Sequence, residues 1–100
     1  MLYVFVGDDA PGALATRMSV RTEHLDRLRT LQELGRLVLA GPLPALDCDD
    51  PGSAGFTGSL IIAEFDSLQA AEIWFADDPY VRHGVFAGYR IRPFRQVLPA

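Results

Sequence analysis

Lysine is absent from this chain of 100 residues, so all nine basic side chains are arginine. Schiff-base chemistry therefore has no nucleophile here. Cysteine is nearly absent as well. Cys48 stands alone, which excludes a disulfide within the chain and fits a reducing compartment. It lies in the run Asp47-Cys48-Asp49-Asp50, whose carboxylates repel a thiolate, and it reads as a loop residue. Positive charge is scarce: the formal net charge is −4 at pH 7. Nucleic acid is not the expected partner, because phosphate binding needs a basic footprint. No segment approaches the ~18 consecutive apolar residues of a membrane span. Residues 1–8 lack the basic start and long apolar core of a signal peptide. The chain reads as cytoplasmic, with no membrane partner. Two distant histidines and no cysteine pair give no zinc spacing. Asp47, Asp49 and Asp50 mimic part of a calcium loop but lack its closing Glu, so no metal is expected. The Gly-rich stretch 53–58 has no Lys and opens no helix, which excludes a phosphate loop.

Apolar residues, by contrast, are plentiful at 49%. That is enough to form a core in one domain spanning 1–100, although a chain of this length buries only about 65% of its unfolded surface. Residues 2–6 form a β-branched and aromatic run stopped by Gly7-Asp8-Asp9, which predicts a strand. A short helix or helical turn is expected within 10–20. The main helix is expected over 22–34, capped by Ser19 or Thr22 and stopped by Gly35. A strand over 36–40 should close at Gly41-Pro42, and 44–58 should be a loop. A third strand (60–65) precedes a helix capped by Ser67, and Pro79 ends that helix or starts an extra turn. The last strand is expected over 89–97, with Pro93 at an edge or bulge.

The order β-α-β-β-α-β predicts an α+β fold, with a ferredoxin-like protomer and an antiparallel four-stranded sheet. Residues 2–6 and 60–63 are apolar at successive positions, so both faces of those strands want burial. Two helices cover one face. A second copy of the chain, joined sheet to sheet as a homodimer, would cover the other.

His24 is the leading candidate for chemistry. It sits one turn before Leu28, inside the apolar stripe that Leu28 and Leu31 define. An imidazole aimed inward needs a partner or loses its charge. Asp77 and Asp78, after the second helix, are the obvious carboxylates, and a His–Asp pair beside a cavity can move protons. The bland alternatives are a core His bonded to a backbone carbonyl and an Asp-Pro turn opening. Tyr80 can donate its hydroxyl to a substrate oxygen or simply pack its ring. Arg21 can bind an anionic group or pair with Glu23 or Asp26. Ser19 is a cap or a pocket hydroxyl. Arg17, Arg21, Arg27, Arg29 and Arg36, interleaved with Glu23, Asp26 and Glu33, read as a solvated, salt-bridged face. His83, in the polar turn Val81-Arg82-His83-Gly84, reads as exposed.

Several short motifs in order carry a resemblance. They are Met1-Leu2-Tyr3-Val4, the run from Arg17 to Leu25, Gly35-Arg36-Leu37, Ala40-Gly41-Pro42, the run from Asp50 to Ser59, and Trp74 with Asp78-Pro79-Tyr80. Together they resemble the YciI-like (YCII-related) proteins over nearly the whole chain. Thr22 stands where some relatives have Pro, and either residue can begin a helix. The resemblance implies a dimeric α+β barrel and an active site made of a helix His and an Asp, which by motif position are His24 and Asp78. It also implies kinship with a relative that eliminates chloride from a chlorinated aromatic diol, within a superfamily of lactone isomerases and monooxygenases.

The expected function is a cofactor-independent lyase or isomerase acting on a small oxygenated molecule. His24 and Asp78 would be catalytic, and Arg21, Tyr80 and Ser19 would bind substrate. The alternative is a non-catalytic ligand-binding or accessory module whose His24 is structural. The pairing argument is checked by light scattering at micromolar concentration. A two-chain mass is expected, and a one-chain mass removes the homodimer.

Overall fold

Residue alternation organises the sheet in the computed structural model, which describes residues 1–100. Strand β1 (Leu2–Asp9) buries Tyr3, Phe5 and Gly7 on one face and leaves Leu2, Val4 and Val6 half-buried on the other. Strand β3 (Phe56–Glu64) lies antiparallel to it, with Phe5 opposite Ile61 and Gly7 opposite Ser59. Strand β4 (Phe86–Phe94) flanks β1 on its other side, and β2 (Leu37–Pro44) flanks β3. The order is β2-β3-β1-β4, antiparallel throughout.

Four α-helices, α1 (Leu14–Ser19), α2 (Arg21–Glu33), α3 (Leu68–Ala76) and α4 (Pro79–Arg82), and a single 3-10 turn at Gly52–Ala54 complete the chain. Helix α2 packs over β2, and α3 over β4. Their buried faces meet the inward sheet residues in a core of Tyr3, Phe5, Leu28, Leu31, Ile61, Ala63, Phe65, Ala71 and Phe75. Each large side chain there contributes roughly 1.5–3 kcal/mol through burial. The rings of Phe5 and Phe75 stack with centroids 4.1 Å apart and tie β1 to α3. The opposite sheet face has no helix over it within the chain, and Leu39 on β2 is 49% exposed. No helix is long and apolar enough to cross a membrane.

Local chemistry accounts for most boundaries. Gly35, at φ 71°, ends α2: its N–H donates to the Gln32 carbonyl (3.0 Å), and the Arg36 N–H reaches back to Leu31 (2.9 Å). Ser67 caps α3 by accepting from the Ala70 N–H at 3.0 Å. The start of α2 departs from expectation, because neither Ser19 nor Thr22 caps it. Val20 both closes α1 and opens α2, and the two helices run together nearly without a break.

The strands also differ in extent. β2 passes through Gly41-Pro42 to Pro44, since an edge strand has a ladder on one side only and tolerates a missing donor. β3 begins at Phe56, inside the expected loop. β4 starts three residues before its expected position at Tyr89 and ends at Phe94, with Pro93 on the other sheet edge.

Gly58 lies on β3 beside β1, and a Cβ there would strike the carbonyl oxygen of Gly7. Gly58→Ala is expected to cost about 3 kcal/mol of folding stability, read as a lowered urea midpoint. An unchanged midpoint would show that the two strands can separate without loss.

Candidate active site

Asp78 is placed by its own sequence context. The Asp-Pro step holds Asp78 extended (φ −68°, ψ 138°) just before α4, with Pro79 in the first turn. Its Oδ1 accepts the Tyr80 N–H at 2.9 Å, so the carboxylate caps the helix. The same carboxylate meets two side chains of α2. The Nδ1 of His24 lies 2.9 and 3.0 Å from its oxygens, and Arg27 Nη1 donates to Oδ2 at 3.2 Å. Arg27 Nη2 donates onward to the Trp74 carbonyl at 2.7 Å, and its guanidinium lies 4.1 Å from the Trp74 ring centre. One buried acid thereby holds α2, α3 and α4 together.

This arrangement sets the proton positions on His24. An ionised carboxylate only accepts, so the neutral imidazole carries its proton on Nδ1, and Nε2 keeps a bare lone pair. Nε2 has no partner within the chain, and no fully buried side-chain nitrogen or oxygen is left unpaired. It is therefore not fully enclosed, and His24 lines a cavity of about 470 Å³. The Tyr80 ring stacks on the imidazole at 3.8 Å between centroids and 6° between planes, which limits rotation of the base. Burial raises the Tyr80 hydroxyl above the ordinary phenol pKa, outweighing the opposing charge of Arg17. At neutral pH it is a protonated donor.

The cavity lies between the α1–α2 segment and the sheet. Leu25, Leu28, Leu37, Pro42, Phe56 and Ile61 supply apolar wall, and Arg17, Ser59 and Tyr80 join His24 as polar lining. Arg21 and Arg29 also line it. Arg21 is exposed and has no ion pair, because Glu23 is taken by Arg82 and Asp26 by Arg29. Ser19 does not reach the cavity. It is exposed, and its hydroxyl donates to the backbone carbonyl of Thr16 at 2.8 Å. Asp77 and His83 are exposed, away from the cavity lining. No cluster of three or more His, Cys, Asp or Glu is placed to hold a metal.

Two members of the supposed solvated arginine face belong elsewhere. Arg17 is only 3% exposed. Its Nε and Nη2 clamp Asp9 at 3.0 and 2.6 Å, and Nη2 also donates to the Gly58 carbonyl and Ser59 Oγ. Arg27 is half-buried on Asp78. A signal for Arg17 exists in the spacing: positions 17, 21, 24, 28 and 31 step by four and three, so Arg17 extends the stripe that carries His24. Ser59 alternates with Ile61 and Ala63 on the inward face of β3. Charge patterning masks the first signal, and Ser59 falls between the expected loop over 44–58 and the expected strand over 60–65.

Helices on one face of this antiparallel sheet define a ferredoxin-like α+β protomer, the class found in dimeric α+β barrel proteins. Residues 1–95 match the YCII-related domain, and the chain belongs to that family. Protein YciI of Escherichia coli O6:H1 is 53% identical over 98 residues, covering 98% of this chain and 100% of its own length. An uncharacterized protein of Haemophilus influenzae is 50% identical over the same shares of each. Among solved structures, the 5-chloro-2-hydroxyhydroquinone dehydrochlorinase TftG of Burkholderia phenoliruptrix AC1100, in complex with 2,5-dihydroxybenzoquinone, superposes with a TM-score of 0.83. It is 28% identical, over 95% of this chain and 94% of its own. An antibiotic biosynthesis monooxygenase shares the fold at a TM-score of 0.52 and 17% identity, over 97% of this chain and 99% of its own.

Because Asp78 closes a buried ion pair and caps α4, Asp78→Ala is expected to cost about 3 kcal/mol in urea unfolding. Asp78→Asn should cost less than half of that, since its amide oxygen still accepts the Tyr80 N–H. Equal losses from the two variants would show that the cap contributes nothing.

Proposed function

We propose that this protein is a small acid/base enzyme, a cofactor-independent lyase or isomerase acting on a small oxygenated organic molecule. His24 and Asp78 form its catalytic dyad. The observation that carries this reading is the bare Nε2 of a buried histidine that lines a cavity while its Nδ1 is tied to a carboxylate. Nε2 takes a proton from a substrate C–H or O–H. The electron pair left behind forms a C=C or C=O bond and, in an elimination, the leaving group departs as an anion. In an isomerisation the proton returns at another atom. Asp78 orients the ring and stabilises the imidazolium. The cavity, about 470 Å³, suits a molecule of one-ring size. The dehydrochlorinase activity of TftG, a structural relative at 28% identity, supports elimination as the reaction class. Arg21, exposed and unpaired beside the cavity, would attract an anionic group, and Tyr80 would donate to a substrate oxygen.

The proposal includes a cytoplasmic homodimer, with the helix-free sheet face of each copy covering the other. A second reading, a ligand-binding module with a structural His24, draws on the fact that Asp78 is already employed as a helix cap. Chloride release from 5-chloro-2-hydroxyhydroquinone, together with hydrogen–deuterium exchange at its ring carbons, separates the two. Wild-type protein should accelerate one or both, and His24→Gln should lower the rate by about 10²–10⁴-fold while the fold is kept. No acceleration by the wild type, or an undiminished rate in His24→Gln, leaves the ligand-binding module.

A further inference from the structure

The cavity runs against the charge of the molecule. The chain carries a net charge of −4, yet three arginines and no carboxylate line this space. Arg17 is the unusual one. A buried guanidinium normally has its donors satisfied. Here Nε and Nη2 are used by Asp9, Gly58 and Ser59, and the guanidinium also hydrogen-bonds the Tyr80 hydroxyl, which leaves at least one Nη1 N–H without an acceptor in the chain. Arg17, Ser59 and Tyr80 all line the cavity, so that N–H is offered to a ligand there. Ser59 Oγ accepts from Arg17, which leaves its own proton free to be donated. The Tyr80 hydroxyl has no acceptor within the chain and stays protonated at neutral pH, and the Arg17 guanidinium lies 4.8 Å from the Tyr80 ring centre.

We infer that Arg17 Nη1, the Ser59 hydroxyl and the Tyr80 hydroxyl form a prebuilt seat for one anionic oxygen of a small organic ligand, a carboxylate, enolate or phenolate. This names the substrate class for the acid/base reading and rests on it for the oxygen's role in turnover: the charge left when His24 takes a proton collects on the seated oxygen. The seat is rigid before any ligand arrives. Asp9 holds the guanidinium in a two-point grip, and β3 fixes Ser59 opposite Gly7. Donors fixed in place before the charge develops need no reorganisation when it does. Asp9 neutralises the charge of Arg17, and Arg27 does the same for Asp78. The unpaired Arg21 leaves the surroundings of the cavity with a surplus of one positive charge, which favours a monoanion.

Binding measured without turnover tests the seat. The probes are benzoate against neutral benzamide, and 4-nitrophenol titrated on both sides of its own ionisation, followed by calorimetry and by the Arg17 Nε–H resonance. Benzoate or 4-nitrophenolate should bind at least about tenfold tighter than its neutral counterpart and shift that resonance. Ser59→Ala and Tyr80→Phe should each weaken the anion about tenfold and leave benzamide unchanged. Arg17→Lys keeps a charge for Asp9 but loses the second Nη, and should weaken the anion as well. If it fails to fold, the other two variants still decide. Which probe binds tells carboxylate from phenolate. Equal affinity for charged and neutral probes overturns the seat, as does anion binding that survives both Ser59→Ala and Tyr80→Phe. Anion binding with no proton exchange or elimination would sink the acid/base reading alone, whereas turnover without anion preference would sink the seat alone.

Discussion

The Asp78 carboxylate is the contact on which the rest of the site depends. It is 2% exposed and receives the Tyr80 N–H, the His24 Nδ1–H and an Arg27 N–H. A buried carboxylate without such partners would be expelled or protonated. With them it holds three helices in one arrangement and selects one tautomer of His24. Structural and chemical duty are therefore not alternatives at this residue. The helix cap that keeps Asp78 in place also aims the base.

Arg17 and Asp9 do the same work on the other side of the cavity. Their pair fastens α1 to the end of β1 and to β3, where Gly58 lets the strands approach closely. Tyr80 joins the two clusters, stacked on His24 and close to the Arg17 guanidinium. The Arg17–Asp9 and Arg27–Asp78 pairs each join a base to an acid, so the acidic excess of the chain is kept away from the cavity. Removing charge from water is costly, and each pair is retained where hydrogen bonds offset that cost.

The sheet carries the consequence for assembly. Its helix-covered face holds the aromatic core, while the other keeps Leu2, Val4 and Val6 half-buried and Leu39 and Leu43 exposed. A face of this kind is costly to leave in water. It is the part of the molecule that the proposed homodimer would cover.

Periodicity and punctuation in the sequence determined the element order, the Gly35 and Ser67 helix ends, and the inward line of His24, Leu28 and Leu31. Those features depend on neighbours three or four residues away, and local chemistry reports them. The Asp78-Pro79 step likewise marked a turn, and motif order singled out its carboxylate. Tertiary structure alone decided what the inward arginines meet. Spacing sets Arg17 on the inward stripe, but only the fold brings it to Asp9 and Ser59, acceptors on other elements. It also decided that Ser19 turns to its own backbone and that β2 continues through Pro42, because a proline's missing donor matters only where a neighbouring strand needs it. Burial of a charge depends on where its partners sit in space, and partners up to 54 positions apart, as His24 and Asp78 are, leave no periodic trace in the chain.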